Sequence, residues 1–488
     1  MQKSSSAHRS KSGGQKGRDG KAPPPFAAKL SSGKTRFGVL VAFLVLVAIM
    51  GGGSRADIQS LIILRPFSIM FCVYGLCVLD RDQARRVRAP LIIIVGLMAI
   101  AVLQLIPLPA SIWTNIPGRE LIRATSEALG VPYGSRPISM DPNRTWNTFF
   151  ALFVPLTALL LVTIQDDEKH QSVLRVLILI GAASALMGIF QMLGVDALYL
   201  YRLTNYETPV GLFANRNHNA VLLSWLIAAT TIFQLRYSKV AAFGYRIGLV
   251  ALIGLVLLAL VILTGSRAGI VAAALSIAFS LWAAYSSGWY QKAFPARMQR
   301  PWLFFAASAA IVALPLMALL ASLLSSNRVT AFSRLMNRDG TSELRSEFLP
   351  IYLEMVRDYF PFGSGFGSFE AVFRAYEPAD MLTTRYLNQA HNDLLQLIIE
   401  GGLPALMLLS FAAFWLVSKT VAVLRAQRDF SRNFRLFLLF SIALWLLGSL
   451  VDYPLRTPLA SALVACLTGL FALATAKEAR TQPVRRRD

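Results

Sequence analysis

The stretch NQAHNDLLQLIIEGGLPALMLL, residues 388–409, decides the fold. Beyond its polar start the run is apolar and continues to residue 418. At 1.5 Å per residue that is enough helix to cross a hydrocarbon core of roughly 30 Å. On a helix, Asp393, Gln396 and Glu400 fall at i, i+3 and i+7 and share one face. Glu400 would lie about 10 Å deeper than Asp393. An ionisable group at that depth must face protein or a wet cavity. A structural hydrogen bond to a neighbouring helix is the role expected for Glu400. Nine residues make two and a half turns, so His391 and Glu400 are expected on opposite faces and not as a dyad. His391, at the membrane boundary, is better placed to meet a substrate, although a lone interfacial histidine is commonly inert.

The same pattern recurs along the chain. Of 488 residues, 55% are hydrophobic and 15% charged, against about 25% charged in an ordinary soluble domain. The mean hydropathy is +0.54. Apolar segments fall at roughly 37–53, 58–79, 91–109, 146–164, 172–193, 219–235, 247–263, 268–285, 302–324, 391–418, 434–451 and 458–474. The chain therefore reads as an all-α integral membrane protein of about twelve transmembrane helices, with membrane lipids as its surroundings. The net charge of +22 would suggest nucleic acid in a soluble chain. Here the excess of basic residues in cytoplasmic segments explains part of it, and no nucleic-acid partner is expected. Every lysine, from Lys3 to Lys477, falls in a tail or connection assigned to the cytoplasmic side. Residues 1–36 read as a disordered basic cytoplasmic tail, 37–474 as the transmembrane domain and 475–488 as a second basic cytoplasmic tail. Cys72 and Cys77 lie on different faces of one helix, and four scattered histidines lack ligand spacing, so no metal or disulfide is expected.

The outer side carries arginine without lysine, including Arg202, Arg267, Arg345 and Arg456. Guanidinium forks suit phosphate and carboxylate oxygens, although snorkelling to headgroups would account for many of them. The outer connection 325–390 is too long for a bare linker. Within it Phe348, Tyr352, Met355 and Tyr359 form one helical stripe, with Pro350 in the first turn. A smaller outer loop, 110–145, ends in PISMDPNRTW. In ILTGSRAGIV, Arg267 falls in a tight turn among small residues, open to a bulky anion or simply ending a helix. In GLFANRNHNAVLL, the cluster Asn215, Arg216, Asn217 and His218 could bind sugar hydroxyls or cap the helix. FGSGFGSFE follows no strand, so it reads as a tight turn and not a dinucleotide loop. Arg65 and Gln191 are the few polar residues in mid-span.

In order, GLFANRNHNA, TGSRAG, LRSEFLPIYLEMVRDYFPFGSGFGSF and HNDLLQLIIEGGLPAL resemble the O-antigen ligase and O-antigen polymerase superfamily over roughly residues 205–455. The resemblance implies a GT-C-like bundle with a periplasmic helical loop, in the bacterial inner membrane. Both termini would be cytoplasmic and the active site would face the periplasm. It implies transfer of a glycan from an undecaprenyl-diphosphate carrier to an acceptor hydroxyl, such as that of lipid A-core, without a cofactor or metal. By position it implies His391 as the base and Arg267 and Arg345 as diphosphate ligands, with Asp393, Gln396 and Glu400 anchoring the helix. An imidazole, with an unperturbed pKa of about 6.5, can take a proton from a hydroxyl at neutral pH. Many relatives carry proline where this chain has Arg216. An O-antigen or exopolysaccharide polymerase, with a carrier-linked acceptor, is the alternative. A twelve-span secondary transporter is a second, expecting an internal repeat and broken helices meeting at mid-membrane.

Overall fold

A computed structural model describes residues 31–55, 57–237, 243–287, 348–379, 387–427 and 430–481. The expected span 302–324, Arg345 and the outer-loop segments 325–347 and 380–386 lie outside the described residues. Among the described residues the protein is all-helical, and nine helices are long and apolar enough to cross a membrane. Two shorter apolar helices, Arg88–Gln104 and Gly248–Leu263, coincide with two more of the expected spans.

The helices that build the bundle run, in chain order, α1 (Gly33–Met50), α2 (Ser60–Val78), α3 (Arg88–Gln104), α4 (Glu120–Ala128), α5 (Pro142–Thr163), α6 (His170–Met192), α7 (Arg216–Tyr237), α8 (Phe243–Leu263), α9 (Arg267–Ser286), α10 (Leu349–Tyr359), α11 (Asp393–Arg425), α12 (Phe430–Ser449) and α13 (Pro458–Thr481). Short polar residues set several starts. Ser32 caps α1, Asp141 caps α5 with Pro142 in its first turn, and Ser266 caps α9 through the Gly269 amide.

The core sits where α7 and α13 are enclosed by their neighbours. In each, 72% of the most apolar window is buried, against 28% for α1 and α2. Trp225 of α7 donates to Ser441 Oγ of α12 at 2.9 Å, giving a buried indole its partner. Small residues allow close approach. A Cβ on Gly269 would stand 2.4 Å from that of Ala220, so α9 rests directly on α7.

The bundle has two distinct ends. At one, Arg36 at the start of α1 donates to Ile164 O and pairs with Asp166 after α5. Asn433 near the start of α12 reaches Ser286 at the end of α9. At the other, the Ala214 amide donates to Gly52 O, and the Leu459 amide donates to Gly51 O. The described chain therefore begins and ends at the same end, opposite the one that carries His391.

Over that second end lies a cap. The stripe Phe348, Tyr352, Met355 and Tyr359 is buried against Phe369, Val372, Phe373 and Ile399, so the apolar face of α10 is covered by protein. The glycine-rich segment after α10 forms the tight turn expected, with positive φ at Gly363, Gly365 and Gly367. It meets a break in α11. Gly402 has φ 58° and ψ −147°, and Pro404 has no N–H to return to Glu400 O, four residues back. That carbonyl accepts instead from the Gly365 amide at 2.9 Å and Gln104 Nε2 at 2.8 Å. Ile399 O accepts from the Ser364 amide at 3.0 Å, and the Leu403 amide donates to Pro361 O at 2.8 Å. Irregular backbone at membrane depth survives because protein meets these freed groups.

Candidate functional site

α11 begins at Asp393, capped by Asn392 Oδ1 on the Leu395 amide at 3.0 Å. His391 therefore stands outside the helix, in the left-handed region at φ 51°. The half-turn argument that set it opposite Glu400 does not apply, because His391 is not on that helix. A non-glycine residue there carries strain of about 1–3 kcal/mol, which the surroundings must impose. They do so on both sides. The Ala390 amide donates to Gln396 Oε1 at 2.9 Å, and His391 Nδ1 lies 3.0 Å from Asp452 Oδ1. The Tyr453 ring packs on the imidazole with centroids 4.9 Å apart.

Asp452 gathers three parts of the chain. It lies in the turn between α12 and α13, with its side chain 5% exposed. Its Oδ2 accepts from Asn217 Nδ2 at 2.7 Å and from Asn215 Nδ2 at 3.3 Å, and its Oδ1 accepts from the Tyr453 amide at 3.0 Å. His218 Nε2 approaches Oδ1 at 3.9 Å, its ring buried between Phe213 and Tyr453. Asn215 also takes the Asn217 amide at 2.8 Å, as a helix cap does. The Arg216 backbone is held by Asn205 Oδ1 at 3.1 Å. The cluster at the start of α7 thus brings Asn215, Asn217 and His218 to Asp452, which reaches His391.

Four residues on, Arg456 faces the other way. Its Nε lies 3.2 Å from Asp393 Oδ1 and its Nη2 3.2 Å from Glu400 Oε2. Glu400 Oε1 accepts from Gln396 Nε2 at 2.9 Å and the Phe369 amide at 3.2 Å. The face predicted from spacing, Asp393, Gln396 and Glu400, is buried as a unit. Burial alone would lower the Arg456 guanidinium; the Glu400 and Asp393 carboxylates reverse that and hold it above the usual arginine range. Sequence reasoning placed Arg456 among the outer arginines without a role, and it missed Asp452. The available signal was the turn DYPLR, whose aspartate is the sole acidic residue between Asp429 and Glu478.

Arg267 opens α9 and is exposed, one turn beside Ala220 through the Gly269 contact. Ala220 is on the same first turns of α7 that reach Asp452, so Arg267 and His391 occupy the same end of the bundle. On the other side of the acidic face lies a cavity of about 750 Å³, whose lining includes Asn388, Gln389, Asp393, Glu400 and Arg456.

Residues 249–410 match the family described as O-Antigen ligase. The match supports the O-antigen ligase superfamily for this segment. The ligase match takes in Arg267, Arg345, His391 and the α11 break, whereas Asp452, Arg456 and the start of α7 lie beyond it. No curated protein matches the chain.

Proposed function

We propose that this protein is a membrane glycosyltransferase that moves a glycan from a lipid-diphosphate carrier to an acceptor hydroxyl. His391 acts as the base, oriented by Asp452. The 3.0 Å contact between His391 Nδ1 and Asp452 carries this reading. A carboxylate on Nδ1 favours the tautomer that places the lone pair on Nε2, which can then receive the acceptor proton. As that O–H bond breaks, the acceptor oxygen bonds to the anomeric carbon. The carbon–oxygen bond to the diphosphate breaks, and the electron pair leaves on the phosphate. Arg267 and Arg345 supply positive charge where that negative charge develops, in place of a metal ion. Attack opposite the leaving group inverts the anomeric centre, and product NMR showing retention would exclude this geometry.

Undecaprenyl diphosphate is the carrier proposed and lipid A-core the acceptor, which makes the protein an O-antigen ligase. A carrier-linked acceptor would make it a polymerase. The chain is assigned to the bacterial inner membrane, with residues 1–36 and 475–488 as cytoplasmic tails, 325–390 as a periplasmic loop and His391 facing the periplasm. Asn215, Arg216, Asn217 and His218 would border the substrate, three of them around Asp452. Asp393, Gln396 and Glu400 would fix the helix that follows the base. The family match supports the reaction class, and the convergence on Asp452 supports the base.

The test is glycan transfer by protein reconstituted in lipid with EDTA present, offering each acceptor in turn. Wild type is expected to act on one acceptor. His391→Ala should lose about 10²–10⁴-fold in rate, the usual scale for a general base. Wild-type rates from folded His391→Ala and Arg267→Ala proteins would refute the site.

A further inference from the structure

Arg65 is the mid-span charge that the transferase reading leaves unused. It lies in α2, five residues after Ser60 and so about 7.5 Å below the His391 end of the helix. It lines the cavity of about 750 Å³. Its Nε is buried and makes no hydrogen bond, and no carboxylate pairs with it among the described residues. The other arginines of the cavity are all answered. Arg55 pairs with Asp57 at 2.9 Å, Arg144 with Glu370 at 3.0 Å, and Arg456 with Asp393 and Glu400. A guanidinium cannot shed its proton to escape burial, and in a membrane span an ionised group marks a site by default.

The cavity is graded along its length. At the His391 end its lining includes the polar side chains of Asn388 and Gln389. Ile93 of α3 and Ala412 of α11 lie deep in their helices and, with Leu409, make the other end apolar. Arg65 comes between. A ligand matching this order has a polar head, then an anionic group, then a hydrocarbon chain. We propose that the cavity seats a phosphate-bearing lipid, its phosphate on Arg65 and its chain along the apolar wall. The head would then lie beside Asn388 and Gln389, which directly precede His391. The site itself stands on the cavity; naming its occupant as one of the two transfer substrates rests on the transferase reading. With Arg267 and Arg345 on the donor diphosphate, a second phosphate site suits a second lipid-linked partner.

Native mass spectrometry of the full chain in detergent tests this with four probes: undecaprenyl phosphate, monophosphoryl lipid A, phosphatidylglycerol and uncharged undecaprenol. The phosphorylated probes should bind wild type, with undecaprenol at least roughly tenfold weaker, the scale of a charge-assisted contact. Arg65→Met should weaken phosphate-probe binding roughly tenfold while keeping or raising the melting temperature, since an unanswered, half-buried charge is removed. Arg65→Lys keeps the charge without the fork and should fall between; it carries the comparison if the methionine variant does not fold. The phosphorylated probe bound most tightly identifies the source: isoprenoid carrier, glucosamine-based acceptor or bulk lipid. Equal binding by Arg65→Met and wild type, equal binding of undecaprenol, or no binding of any phosphorylated probe overturns the site. Binding is read without turnover, so a His391→Ala protein should bind as wild type does. Absent transferase activity with intact Arg65-dependent binding would therefore sink the transferase reading alone.

Discussion

With Nδ1 at 3.0 Å from a carboxylate that also accepts from Asn215, Asn217 and the Tyr453 amide, His391 has little freedom to rotate or change tautomer. Asp452→Asn separates that restraint from simple packing. The amide keeps the volume but can donate to Nδ1, which favours the wrong tautomer. Its turnover should fall at least roughly 10–100-fold, the cost typical of losing an orienting partner. KM should be unchanged, because Asp452 does not hold substrate; a raised KM with intact turnover would contradict the assignment. Arg456 makes a different prediction. Removing one partner of a buried ion cluster leaves uncompensated charge, so Arg456→Met should lose about 3–5 kcal/mol in detergent unfolding. Arg456→Lys should recover only part, because an ammonium cannot reach Asp393 and Glu400 as a fork does. At this scale the sequence was half legible. Spacing on one helix put Asp393, Gln396 and Glu400 on a common face. Their partner Arg456, and the aspartate that orients His391, lie over fifty residues away, and no local period encodes that distance.

Along α11, the break at Gly402 and the turn at 363–367 are one feature made of two distant pieces. Only one piece is read from the sequence: glycines at 363, 365 and 367 predict a turn, whereas the run through EGGLP reads as one continuous span, and the break at Gly402 departs from it. That one fills the hydrogen bonds the other leaves open follows only from their contact. The contact also separates the protein from the transporter reading, in which a broken helix offers its freed carbonyls to cargo. Here Glu400 O is taken by Gly365 and Gln104. Two alanine substitutions test the lock. Gly130 has φ +62° with nothing within 4 Å of a new Cβ, so Gly130→Ala should cost only the handedness penalty, about 1–2 kcal/mol. Gly363 has φ +79° and its Cβ would stand 2.4 Å from Glu400 O, against backbone that cannot yield. Gly363→Ala should cost clearly more and expose the α11 break to amide exchange; equal losses in the two variants would mean that the turn merely touches the helix.

For the molecule as a whole, the direction of each helix fixes which groups share a side. α9 starts beside Ala220 at the His391 end and finishes at Ser286 beside Asn433, at the opposite end. The described chain resumes at Phe348, packed with Ile399 back at the His391 end. The apolar run 302–324, which lies outside the described residues, is where the sequence expects that crossing. Counting apolar runs anticipated the described spans, because membrane spans are written as length and composition. The lysine asymmetry adds the sidedness that helix packing alone does not carry. Together they predict a labelling pattern. In a background with Cys72, Cys77 and Cys466 replaced, a cysteine at Leu129, which is 71% exposed at the His391 end, should react with an impermeant maleimide in spheroplasts. A cysteine at Asp82, whose side chain is 59% exposed in the connection at the opposite end, should react only after the membrane is opened. The reverse pattern would put His391 in the cytoplasm, away from the compartment the proposed donor and acceptor share. Labelling of both in sealed spheroplasts would break the parity on which the twelve-span reading depends.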